Sequence, residues 1–134
     1  MGKKPIIITA GEPNSVFLEI FFKSIKAHTY KNPLIIICSE KLLLQQMKKL
    51  RFNLKINTIS KNFKQFNKLN NKKINIVNVN YEFKNCFEKI SSKSNDYIKE
   101  SFTVALRMIR KNNFSKLING PISKKYFLKG KTLG

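Results

Sequence analysis

A chain of 134 residues is the size of one domain. With 42% hydrophobic residues and eleven Phe, it can bury a core. No apolar run approaches the ~20 residues that a membrane-spanning helix needs, and Pro5–Ala10, after Lys3 and Lys4, is too short for a signal peptide. The chain reads as a cytoplasmic protein without a membrane partner. A formal charge of +20 raises nucleic acid as a partner, but nearly all of it is Lys, scattered evenly among Asn and Ile. Arg51, Arg107 and Arg110 are the only Arg, with no fork-and-aromatic pattern on one face. Compositional drift toward Lys, Asn and Ile accounts for the charge and argues against nucleic acid, while the same charge would draw a small phosphorylated substrate toward a cleft.

In chain order, Pro5–Ala10 is a β-branched run without polar alternation, as in a strand covered on both faces. Gly11-Glu12-Pro13 breaks it, Asn14 or Ser15 caps, and an amphipathic helix runs from Val16 to Ala27 with Phe17, Ile20, Phe21 and Ile25 on its apolar stripe. Leu34–Cys38 is a second continuous apolar strand. Ser39 caps a helix over Glu40–Leu50 that turns Leu43, Leu44 and Met47 inward. Phe52–Ser60 alternates and predicts a strand with one wet face. Lys61–Lys73 reads as loop with a helical turn at Phe63–Phe66, Ile74–Val79 as a fourth strand, and Tyr81–Ser94 as irregular. A long helix follows, capped by Ser94 or Asn95, with Ile98, Phe102, Ala105, Leu106 and Ile109 on one stripe and Arg107, Arg110 and Lys111 near its negative end. Leu117–Asn119 is a fifth strand, and Asn119-Gly120 turns into a helix start at Pro121.

Cys38, Cys86 and the single His28 cannot complete the about four ligands of structural zinc or the about three of catalytic zinc. Cys38 reads as a small buried residue and His28 as a surface residue near a helix end.

This order predicts a single α/β domain over residues 1–134, a mostly parallel sheet with helices on both faces. Ligands of such sheets sit beyond the carboxyl ends of the strands. Two turns, Ala10–Asn14 and Asn119–Lys124, lie at such ends. If their strands are neighbours, Gly11, Glu12, Asn119, Gly120 and Lys124 line one crevice. Lys124 would face the phosphate of a substrate or cofactor, and Glu12 would orient neighbouring groups. The plainer reading of the same residues is a tight strand-to-helix connection with a solvated Lys and a carboxylate capping the helix start.

Ile8-Thr9-Ala10-Gly11-Glu12-Pro13, Glu19 in the first helix, and Ile118-Asn119-Gly120-Pro121-Ile122-Ser123-Lys124 after a long helix resemble the N-terminal part of the 4-hydroxythreonine-4-phosphate dehydrogenases, the PdxA family of vitamin B6 biosynthesis. In that family the first strand enters a Gly-Asp/Glu-Pro turn and a later strand enters Gly-Pro-x-x-Lys. The resemblance spans essentially this whole chain and less than half of a typical member. It implies an isocitrate/isopropylmalate dehydrogenase-like fold, a homodimer when full length, and NAD and a divalent metal as cofactors. The substrate hydroxyl is oxidised to a ketone and the product decarboxylates. The Gly-His-Thr-Glu stretch and the three metal-binding His of the family would lie at and after Gly134, so no catalytic or metal-binding residue carries over. The chain is then an N-terminal part, inactive alone. One departure is that the family's Gly-rich Ala-Gly-Ile-Gly-Pro-Glu is here Asn14-Ser15-Val16-Phe17-Leu18-Glu19, which puts ligand contact at that turn in doubt. The alternative is a small basic α/β module that binds a nucleotide or nucleic acid without catalysis.

Overall fold

The computed structural model describes residues 3–127. In chain order these form β1 (Ile6–Thr9), α1 (Phe17–Ala27), β2 (Leu34–Cys38), α2 (Glu40–Lys49), β3 (Ile56–Thr58), β4 (Ile74–Asn78), α3 (Asn95–Asn112), β5 (Leu117–Asn119) and α4 (Lys124–Phe127), with 3-10 turns at Phe66–Lys68 and Ser92–Ser94. The strands make a five-stranded sheet in the order β3-β4-β2-β1-β5, and every pairing is parallel. The central strands β1 and β2 are near-continuous Ile and Leu runs because both of their faces are covered. All five residues of β2 are buried.

Right-handed crossovers explain the layers. From β1 the chain steps outward to β2 and β3, which puts α1 and α2 on one face in contact with each other, whereas the step back from β4 to β5 carries α3 across β1 and β2 on the opposite face. The connection that leaves β1 and the one that enters β5 therefore run on opposite faces, and α4 contacts the 3-10 turn that leads into α3. The strand order reverses between β1 and β5.

Ser39 caps α2 by accepting the Leu42 N–H at 3.1 Å. Arg51, at φ 63°, ends it by letting the Phe52 N–H reach the Met47 carbonyl, the left-handed stop that Gly usually supplies. Asn113 at φ 55° ends α3 in the same way.

Several expected boundaries move. The third strand is Ile56–Thr58 rather than Phe52–Ser60, since Phe52 belongs to the turn that stops α2. The helical turn falls at Phe66–Lys68, not Phe63–Phe66, where Phe66 packs edge-on to Phe63 and Phe114. The fourth helix starts at Lys124, not Pro121. Neither Asn14 nor Ser94 caps through its side chain, because both are drawn to other partners described below.

The α3 stripe is rotated from the one expected. Tyr97, Ile98, Ser101, Val104, Ala105 and Met108 are buried, while Leu106 is exposed and Phe102 and Ile109 are half-buried. Small Ser101 and Ala105 let the helix approach the sheet, and Tyr97 is turned inward to accept the Ser39 N–H at 2.9 Å. On α1 the inward residues are Leu18, Phe21 and Phe22, and Ile20 is 57% exposed, because nothing among the described residues covers the side of α1 toward β5.

Cys38 and Cys86 are free and buried, and His28 is exposed. No helix among the described residues is long and apolar enough to cross a membrane.

Burial pushes the Cys38 thiol far up, and the Glu40 carboxylate adds to the effect. Tyr97 is likewise pushed well up by burial and then by neighbouring Cys38. Both therefore stay protonated in the folded chain while the unfolded chain loses those protons near pH of about 8.5 and about 10. Their contribution to stability is whole below those values and is lost as pH rises above them. In urea unfolding, wild type should lose more stability than Tyr97→Phe between pH of about 8 and about 10.5. Lys titration is common to both chains and cancels, so equal losses would show that Tyr97 is not held neutral.

Candidate functional site

At the carboxyl edge of the sheet the β1 and β5 turns meet directly. Parallel pairing sets Ile7 beside Leu117, Ile8 beside Ile118 and Thr9 beside Asn119, so the turns after them emerge together. They are stitched by backbone: the Gly120 N–H donates to the Thr9 carbonyl at 2.6 Å, and the Glu12 N–H to the Pro121 carbonyl at 2.6 Å. The Thr9 hydroxyl donates to Asn119 Oδ1 at 3.0 Å.

The two glycines are required by this contact. Gly11 has φ +71°, and a Cβ there would sit 2.3 Å from the Pro121 oxygen. A Cβ on Gly120 would sit 2.1 Å from the Ala10 oxygen. The space that a ligand's phosphate would need beside these glycines is filled by the opposite turn.

Glu12 is buried, and its carboxylate has protein partners. Oε1 accepts the Asn14 N–H at 3.2 Å and Asn14 Nδ2 at 3.5 Å, and Oε2 accepts the Ser94 hydroxyl at 3.1 Å. Asn14 Oδ1 in turn accepts the Glu88 N–H at 2.8 Å. Glu12 thus ties the β1 turn to the segment before α3. Gln46 of α2 adds a second tie, donating Nε2 to the carbonyls of Pro13 at 2.8 Å and Cys86 at 2.7 Å. Its Oε1 is buried with no hydrogen-bond partner.

Around this core the rim is polar and aromatic. Tyr81 stacks on Phe83, with ring centroids 5.6 Å apart, and lies 4.8 Å from Tyr97. Lys41 Nζ lies 5.5 Å from the centre of the Phe83 ring, a cation–π distance. Glu88 is held below the usual carboxylate range by the Asn85 N–H, then Lys93, then the Lys84 N–H.

Gly11, Glu12, Asn119 and Gly120 are therefore brought together, with both Gly and Glu12 buried and Asn119 exposed. Lys124 is exposed at the first position of α4, so it is available to an anion at this edge. Sequence reasoning missed the roles of Thr9, Asn14, Gln46 and Ser94. Gln46 carried a signal, as the one polar residue on the Leu42, Leu43, Met47 face of α2. Asn14 and Ser94 looked like helix caps, and their partner, Glu12, lies far away in sequence for Ser94.

Among the described residues no group of three or more His, Cys, Asp or Glu could hold a metal ion. A hollow of about 480 Å³ lined by Thr103, Leu106, Arg107, Arg110 and Lys111 lies on the half of α3 remote from these turns.

An all-parallel α/β sheet whose strand order reverses between β1 and β5, with two interlocked turns at the carboxyl ends of those strands, defines a doubly wound protein. Within that class the chain belongs to the PdxA family: the model described as pyridoxal phosphate biosynthetic protein PdxA matches residues 29–132. The fold is similar to that of a 4-hydroxythreonine-4-phosphate dehydrogenase from Burkholderia phymatum, with a TM-score of 0.75 and 17% identity over 95% of this chain and 41% of that one. It is also similar to the corresponding dehydrogenase from Klebsiella pneumoniae, with a TM-score of 0.71 and 15% identity over 91% of this chain and 38% of that one. The chain thus spans about two fifths of these neighbours' length. A comparison with curated protein sequences finds no match.

Replacing Gly11 by Ala should cost about 1–3 kcal/mol from left-handed backbone strain alone, with the clash in addition. Gly120→Ala tests the contact without a positive φ. Both should lower the urea midpoint, and an unchanged midpoint for Gly120→Ala would show that the two turns do not touch as described.

Proposed function

We propose that this chain forms part of a PdxA-type dehydrogenase that oxidises 4-hydroxythreonine 4-phosphate, with NAD as hydride acceptor and a divalent metal, in pyridoxal phosphate biosynthesis. The family match over residues 29–132 is the observation that carries the reading, and the shared fold supports it. Nothing in the structure favours the binding-module alternative. The complete enzyme would act as a homodimer on this small phosphorylated substrate.

In this reading the interlocked turns form a rigid wall of the cleft at the β1/β5 reversal. Gly11, Glu12, Asn119 and Gly120 shape that wall, Glu12 by holding the turn to Ser94 and Asn14. Lys124 supplies an exposed cation toward a phosphate, where a charge-assisted contact is worth more than a neutral one. The described residues do not fit a metal site: their carboxylates, thiols and imidazole form no ligand group, and the Glu12 oxygens are already taken. The turn glycines likewise leave no room for a pyrophosphate against their backbone. No catalytic step is assigned to this chain's own side chains.

The test is a fusion of this chain to the part of the Burkholderia phymatum enzyme beyond the 41% it covers. A folded fusion should reduce NAD when given 4-hydroxythreonine 4-phosphate. Lys124→Ala in the fusion should lower kcat/KM about tenfold, or about 1.4 kcal/mol. A folded fusion that binds neither substrate nor NAD would overturn the proposal.

A further inference from the structure

Beyond the carboxyl ends of β3 and β4 the sheet leaves a notch. The register of these strands runs to Thr58 beside Ile76, and the Ile59 N–H then donates to the Ile76 carbonyl at 2.9 Å. There the β3 chain turns away, its Ser60 carbonyl taken by the Phe63 N–H at 3.0 Å. β4 runs on beside β2 alone, with Cys38 opposite Asn78 and the Val79 N–H on the Cys38 carbonyl at 3.0 Å. In a parallel ladder the backbone groups of alternate residues point to alternate neighbours. Val77 and Val79 therefore serve β2, and Asn78 faces the side that β3 has left. Among the described residues its N–H and C=O have no strand partner there.

A hollow of about 250 Å³ occupies that notch. It is smaller than the about 300 Å³ at which pockets for drug-sized molecules begin, so its occupant is small. Ile59, Val77, Val79 and Val104 of α3 are its buried lining, while Lys61 and Glu100 stand exposed at its rim. These opposite charges border one hollow, yet neither forms an ion pair among the described residues. The neighbouring polar side chains are engaged, Thr58 with Glu40, and Asn78 with the Glu40 N–H at 2.8 Å and with Asn80 at 3.0 Å. The notch thus offers one cation, one anion, and a backbone donor and acceptor on a single residue, over an apolar base. A simple anion would meet Glu100 and a simple cation Lys61, at a Coulombic cost. A ligand with both charges on neighbouring groups satisfies all four. We propose that this notch binds a small zwitterionic α-amino acid with an aliphatic side chain. Its carboxylate takes Lys61 and the Asn78 N–H, its ammonium takes Glu100 and the Asn78 carbonyl, and its side chain lies on the Val and Ile lining. β2 separates β4 from β1, so occupancy here is read apart from any ligand at the β1 and β5 turns.

The test follows the backbone amide resonances of the whole chain while L-leucine is added. Shifts at Lys61, Asn78 and Glu100 should saturate together, with a Kd of about 1 mM. Isocaproate, which lacks the ammonium, and isoamylamine, which lacks the carboxylate, should each bind about tenfold more weakly or worse. Lys61→Ala and Glu100→Gln, both at exposed positions, should each weaken leucine binding about tenfold while their remaining resonances match wild type. No saturable shift at about 10 mM leucine, where a site with a Kd of about 1 mM is mostly filled, would overturn the proposal. So would equal binding of either singly charged analogue, which would make the hollow a site for one charge only. Full leucine affinity in either variant would overturn it as well, because the ligand would then sit elsewhere. Because activity is not read, failure here leaves the dehydrogenase reading standing, and the reverse.

Discussion

Backbone contact between the β1 and β5 turns is the constraint around which the carboxyl edge of this sheet is arranged. Two N–H···O bonds, from Gly120 to Thr9 and from Glu12 to Pro121, hold the turns so close that neither glycine has room for a Cβ. Gly11 also has a positive φ that other residues adopt only at a cost. Everything else at that edge follows. The Glu12 side chain is directed to Asn14 and Ser94, the loop before α3 is pinned, and Gln46 ties the same loop to the β1 turn from the α2 side.

That arrangement separates structural from chemical roles among residues that share a motif. Gly-Glu-Pro and Gly-Pro-x-x-Lys suggest ligand contact throughout, yet the glycines and Glu12 are consumed in joining the two turns. Lys124 alone of the five candidate residues combines exposure with a mobile charge. A buried carboxylate held only by neutral donors is costly unless its lone pairs are met, and here Asn14 and Ser94 meet them. Its role is to fix geometry.

The uncovered side of α1 bears on the same edge. A sheet of this kind is usually covered on both faces, and the α1 face is covered over β1, β2 and β4 but not over β5. The surface left open at β5 and the interlocked turns are next to each other in the fold.

The sequence by itself determined the class of fold. Unbroken Ile and Leu runs in β1 and β2, alternating with 3.6-period helices, leave a parallel doubly wound sheet as the economical solution, since such strands must be buried on both faces. It also located the two strand-end turns, because Gly and Pro punctuate the chain through local backbone geometry. Local pattern did less well where neighbours decide. Phe52 went to the α2 stop rather than to β3, the α3 stripe turned to bring Tyr97 to Ser39, and Ile20 stayed exposed on the apolar face of α1. Ser94 and Asn14 looked like caps until folding brought Glu12 to them, and the glycines looked like ligand-facing residues until β5 was set beside β1. Tertiary structure alone could decide these points, because each depends on a contact between segments that the chain's local periodicity does not record.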